Sequence, residues 1–158
     1  METNSNREKP VKIFFHLQKD EDGYPPNDWE AMWGYEVESG LYSLDNVPFF
    51  ANGVSWKDVV SVERKDNELH FNGVIQPSGH SVLRVIAYDQ SMTAKIHEEL
   101  RKLGCGTEQS HLPSLLSVDV PPSVQIRPIL EFLSKGFEDD LWDYEEACMR
   151  HPDDLEGD

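Results

Sequence analysis

Residues 76–85 read QPSGHSVLRV, and the fold turns on what happens inside that stretch. Ahead of it the chain is written in short β-rich segments broken by tight turns. Beyond Gly79 the segments lengthen and take on helical spacing. The glycine permits a bend between the two patterns, and Val82 to Ile86 then enter a core as an almost unbroken apolar strand. Ser78 and His80 give the same stretch a chemical reading. On a strand starting at Pro77 they would share a face, and a hydroxyl beside an imidazole is the beginning of a nucleophile–base pair. The competing reading is a turn, Pro77-Ser78-Gly79, with His80 opening the next strand as a hydrogen-bonded histidine. No G-x-S-x-G elbow is present and no glycine-rich loop opens a helix. Ser78 and His80 therefore stand as catalytic candidates with the turn preferred.

Upstream, VKIFFHLQ (11–18) is rich in β-branched and aromatic residues and predicts a strand. The segment KDEDGYPPNDWE holds Gly23, Pro25 and Pro26 and makes a loop of about a dozen residues, long enough to be a functional one. Its acids Asp20, Glu21 and Asp22 ahead of Gly23 imitate a calcium loop. With Gly23 sixth, however, the first ligand would be Gln18 and the last Trp29, where aspartate and glutamate are needed. EAMWGYEVESG and LYSLDNVP then predict two antiparallel strands meeting at Ser39-Gly40, with Met32, Gly34 and Glu36 alternating against Trp33, Tyr35 and Val37. Asn52-Gly53 marks a further turn, and WKDVVSVERKD pairs with ELHFNGVIQPSG across Lys65-Asp66-Asn67. Five short strands in about 70 residues predict a small Greek-key or SH3-like β-barrel over residues 11–79, after a disordered lead-in over 1–10.

Downstream, HSVLRVIAYD (80–89) predicts a central strand buried on both faces. Asp89 or Ser91 can cap a helix that sets Met92, Ile96, Leu100 and Leu103 on one face, with Gly104 past its end. CGTEQSH and LLSVDVP predict strands joined at Leu112-Pro113-Ser114. A second helix starts around Gln125, keeps Pro128 in its first turn, carries Ile129, Leu130 and Leu133, and ends near Gly136. Residues 141–145 fit a final strand, although Leu141, Tyr144 and Cys148 also fit a helical stripe. With the strand, residues 80–150 spell β-α-β-β-α-β, the ferredoxin-like order. The predicted fold class is thus α+β, a small barrel packed on a ferredoxin-like half, with a disordered acidic tail over 151–158.

The chemistry-bearing residues narrow the function classes. The 158 residues carry a net charge of −16, which repels phosphate backbones and anionic lipid and leaves a basic protein surface as the expected partner, with no nucleic acid and no membrane. Cys105 and Cys148 form no Cys-x-x-Cys pair. His70 and His80 fall on neighbouring strands, His97-Glu98 lacks the second histidine of H-E-x-x-H, and His16, His111 and His151 are isolated. No metal and no cofactor is predicted. METNSNREKP has no apolar core, and no apolar run nears the roughly 20 residues that span a bilayer, so a cytosolic protein is expected.

Two aromatic sets are candidate binding residues. Tyr24, Trp29 and Trp33 flank the long loop, where they either close the open end of the barrel or meet a partner. Residues 138–158 hold ten acidic residues against one basic residue, Arg150. Trp142, Tyr144, Glu145 and Glu146 in that run suit docking onto a basic surface, against the alternative that the rings pack into the core.

The segments DGYPPNDWEAMW, YSLDNVPFFANGVSWKDVV, IQPSGHSVLRV, LPSLLSVDVPP and WDYEEACMRH together resemble a bacterial family catalogued as domain of unknown function 4265, over roughly residues 11–151. The resemblance implies a compact bacterial cytosolic domain and carries no catalytic residue set with it. The expectation is a non-enzymatic protein-binding module, in its sharpest form an immunity protein or inhibitor that occludes a basic partner such as a nuclease-like toxin. The alternative is a small hydrolase-type enzyme or small-ligand sensor with a site near His80 between the two halves.

Overall fold

Alternation decides the first half. Along β2 (Trp29–Glu38), Met32 and Gly34 are buried while Trp33 and Val37 stay in solvent, the two-residue period of a strand with one wet face. The computed structural model describes residues 9–152 and divides into two compact units, one ending at Ser78 and the other starting at Gly79.

The first unit adds β1 (Val11–His16), β3 (Leu41–Leu44), β4 (Val59–Lys65) and β5 (Glu68–Gln76). Each strand pairs antiparallel with the next. β5 then lies parallel to β1 through Ile13↔Leu69 and Phe14↔His70, so the five strands close on themselves. Ile13, Phe15, Met32, Leu44, Val60 and Leu69 are all buried, and each such side chain withdrawn from water contributes about 1.5–3 kcal/mol. Gly34 makes room among them: a Cβ there would stand 2.8 Å from Ile13 Cδ1 and 3.3 Å from Ser43 O. The β4–β5 hairpin turns on Asp66 and Asn67, at φ 51° and 69°. Short polar side chains tolerate that left-handed pair, and its twist matches the strands it joins. Between β3 and β4 the chain is pinned from β2, where the Glu30 carboxylate accepts the backbone N–H groups of Phe49 (2.7 Å), Phe50 (3.0 Å) and Ala51 (2.8 Å).

The second unit comprises β6 (Ser81–Ala87), α1 (Thr93–Lys102), β7 (Gly106–Gln109), β8 (Leu115–Val120), α2 (Arg127–Glu138) and β9 (Trp142–Cys148). Its sheet runs β7-β8-β6-β9 with every neighbour antiparallel. Leu83, Val85 and Ala87 of β6 and Leu116, Val118 and Val120 of β8 pack with Ile96, Leu100, Ile129 and Leu133 of the helices in one core. Parity sends Arg84, Ser117 and Asp119 to the other face of the sheet, where they too are buried. The described residues are therefore mixed α+β, mostly antiparallel, with two short α-helices.

Several expected boundaries move, each for a local reason. β6 stops at Ala87 because the Asp89 side chain is needed as a cap, accepting the N–H (3.0 Å) and hydroxyl (2.8 Å) of Ser91. Those two bonds hold the Asp89 carboxyl below its ordinary value. Ile86, expected in a doubly buried strand, is 40% exposed. α2 begins at Arg127 rather than Gln125, with Pro128 in its first turn, and continues past Gly136 to Glu138. Gly136 does not end this helix; a Cβ at that position would stand 1.9 Å from the Trp142 ring. Residues 142–148 are a strand, which removes the helical alternative. His70 and His80 do not fall on neighbouring strands: His70 is in β5, and His80 precedes β6 in the other sheet. His151, expected in a loose tail, is fixed by its N–H to Ser81 Oγ (3.1 Å) and by Nε2 to Pro121 O (2.8 Å). Residues 1–8 and 153–158, expected as lead-in and tail, lie outside the described residues.

Candidate functional site

The end of α2 builds the site. Asp140 takes the left-handed conformation, φ 65°, and Leu141 N–H donates back to Gly136 O at 2.9 Å. The helix thus closes by a backbone return from a non-glycine residue, and β9 starts two residues later. This tight reversal sets Phe137, in the last helical turn, against Tyr144 on the strand, edge to face with ring centroids 6.4 Å apart. Ser134 Oγ lies 2.9 Å from the Tyr144 hydroxyl, which fixes the ring and satisfies its polar end.

Phe137, Asp143, Tyr144, Glu145 and Glu146 line a shallow groove of about 370 Å³. Asp143, Glu145 and Glu146 are exposed, and Phe137 keeps 52% of its surface in water. The Glu145 carboxylate is oriented by the buried Arg84, whose Nη1 donates to it at 2.9 Å. Asp143 Oδ1 accepts the Tyr144 N–H at 2.8 Å. β9 is also an edge strand of its sheet, a position at which a further strand can pair. Three carboxylates and two ring faces at a strand edge can hold a guanidinium or ammonium by charge-assisted hydrogen bonds and by the ring quadrupole.

The structure brings Tyr144, Glu145 and Glu146 together and removes Trp142 from that set. Trp142 is buried in the core, and its Nε1 donates to Leu133 O at 3.0 Å. Tyr24, Trp29 and Trp33 are 39%, 46% and 43% exposed on the first unit. Tyr24 packs edge-on to Phe50, Trp29 stands edge-on to both His16 and His70, and Lys12 Nζ lies 5.6 Å over Trp33. Phe137 belongs to the groove and was not among the expected residues; its only sequence signal is an aromatic one helical turn beyond Leu133, directly before three acids.

Ser78 and His80 do not share a strand face, because β5 ends at Gln76 and β6 begins at Ser81. The Ser78 N–H donates to Asp58 Oδ1 at 2.8 Å, and its hydroxyl donates to Trp56 O at 2.7 Å, which ties down the end of the first unit. His80 Nδ1 donates to Asp119 Oδ1 at 2.7 Å; both side chains are buried. Burial, and after it the negative charge of Asp119, pushes the Cys105 thiol up to about 12, so it stays protonated and is a poor nucleophile.

A family model described as a domain of unknown function, DUF4265, matches residues 30–144. A crystal structure of a hypothetical protein from Neisseria gonorrhoeae is similar in fold, with a TM-score of 0.78 at 21% identity, covering 91% of this chain and 98% of that one. No curated protein matches. Among the described residues, no helix is long and apolar enough to cross a membrane.

Proposed function

The chain belongs to the family described as domain of unknown function 4265, a membership that brings no activity with it, and from its groove we propose a non-enzymatic protein-binding module of the bacterial cytosol. The partner is a basic protein, engaged through the groove of Phe137, Asp143, Tyr144, Glu145 and Glu146. An immunity protein or inhibitor that occludes a nuclease-like toxin is the sharpest form of this reading. We take the closed five-stranded sheet as an SH3-like barrel and the second unit as ferredoxin-like. The observation that carries the proposal is the lining itself: three carboxylates and two aromatic rings, with a single cation, the buried Arg84, paired to one of the carboxylates.

The energetics fit an inhibitor. A net charge of −16 speeds encounter with a cationic partner and disfavours anionic ones. Affinity then rests on a few side chains, here the Phe137 and Tyr144 rings and the carboxylates around them. Ser78 adds nothing to an enzyme reading, since its hydroxyl proton is already given to Trp56 O.

Titration of the full chain with an arginine-rich peptide tests the groove. Binding is expected to weaken steeply with salt and to fall at least tenfold, an order-of-magnitude figure, when Asp143→Asn, Glu145→Gln and Glu146→Gln are combined. Equal binding by the native chain and the triple variant would overturn the proposal.

A further inference from the structure

A second concavity lies in the same unit, between α1 and α2. Met92, Ile96, Phe132, Leu141 and Trp142 form its apolar lining, and it encloses about 170 Å³. A cavity of roughly 150 Å³ holds one benzene ring, so this one fits a single-ring ligand. Phe132 and Trp142 meet at 5.2 Å with their planes tilted by 42°. The Trp142 N–H is already engaged by Leu133 O and only 4% of the residue is exposed, so the indole forms the floor of the crevice and offers no donor.

The rim carries two cations and two carboxylates. Lys95, Glu99, Lys135 and Asp139 surround the opening. Lys135 pairs with Asp139 at 3.2 Å, and Glu99 pairs with Lys102 at 3.5 Å. The rim's formal charges balance, and among the described residues Lys95 is its cation without an ion-pair partner. An anionic group one bond from a ring would reach it while the ring stays against Phe132 and Trp142.

We propose that the α1–α2 crevice binds a small aromatic monocarboxylate, its ring on Phe132 and Trp142 and its carboxylate on Lys95. This site shares no lining residue with the acidic groove and takes a ligand of opposite charge, so either reading can fail without the other.

Benzoate is the probe, followed by two-dimensional amide and indole NMR of the full chain. Saturable shifts of the Trp142 indole N–H and of residues around Ile96 and Phe132 are expected, with Kd on the order of 1 mM or below for so few atoms. Lys95→Gln, at an exposed position, should weaken benzoate about tenfold, and benzamide should bind the native chain about as weakly as benzoate binds that variant. No saturation at about 10 mM benzoate overturns the site. Shifts that cluster elsewhere overturn it as well. Equal affinity for benzoate and benzamide, or no effect of Lys95→Gln, overturns the assignment of the carboxylate.

Discussion

Gly136 is the residue on which the second unit's packing hangs. Trp142 occupies the space where a side chain would begin, with an ideal Cβ falling 1.9 Å from the indole. Gly136→Ala gains helix propensity yet must displace a buried ring, so a net loss of about 3 kcal/mol is expected. Urea denaturation measures it; an unchanged or raised midpoint contradicts the packing argument. The same residue explains a misplaced helix end. A glycine after an apolar stripe ordinarily signals a left-handed cap, and nothing in the local sequence says that a tryptophan six residues later needs the gap. Trp142 is hidden in the same way: acids surround it in sequence, and only strand parity turns it to the core while Asp143 and Glu145 face solvent. Tyr144, Glu145 and Glu146 are legible as a surface set, because a burst of carboxylates cannot be buried together. Phe137 is not, since a single ring beyond an apparent helix end has no periodicity to place it.

Elements held by turns are the ones a sequence displays. Ser39-Gly40, Lys65-Asp66-Asn67 and Leu112-Pro113-Ser114 each announce the hairpin they make, because φ preferences act within a few residues. The order β7-β8-β6-β9 needs β9 to be a strand, yet Leu141, Tyr144 and Cys148 also fit a helical stripe; only the pairing of residues 142–148 with β6 decides. The loop before β4 is a stronger case of long-range control. Its three successive amides are satisfied by Glu30, about 20 residues earlier in the chain. Removing that acceptor leaves the amides of Phe49, Phe50 and Ala51 to find water. Glu30→Ala is expected to cost about 2 kcal/mol and to speed hydrogen exchange at those three amides while exchange across β4 and β5 is unchanged. Retained protection at Phe49–Ala51 would show that the carboxylate is not what holds the loop.

At the scale of the molecule, a net charge of −16 on 158 residues works against compactness through self-repulsion and in favour of meeting a cation. Salt separates the two effects. Raising ionic strength from about 0.01 M to about 1 M shrinks the Debye length from roughly 30 Å to 3 Å; the melting temperature should climb by a few degrees as peptide binding at the groove collapses. A melting temperature that falls or stays flat over that range, followed by calorimetry, would mean that the acids are locally compensated. The closed sheet of the first unit has a consequence in time rather than in energy. Of the five strands β1 leaves the ribosome before the others, and its parallel partner lies more than fifty residues behind it, at Leu69 and His70. The ring therefore cannot shut during synthesis until the fifth strand has emerged, and a nascent chain halted before that point carries β1 with one side still waiting for its neighbour.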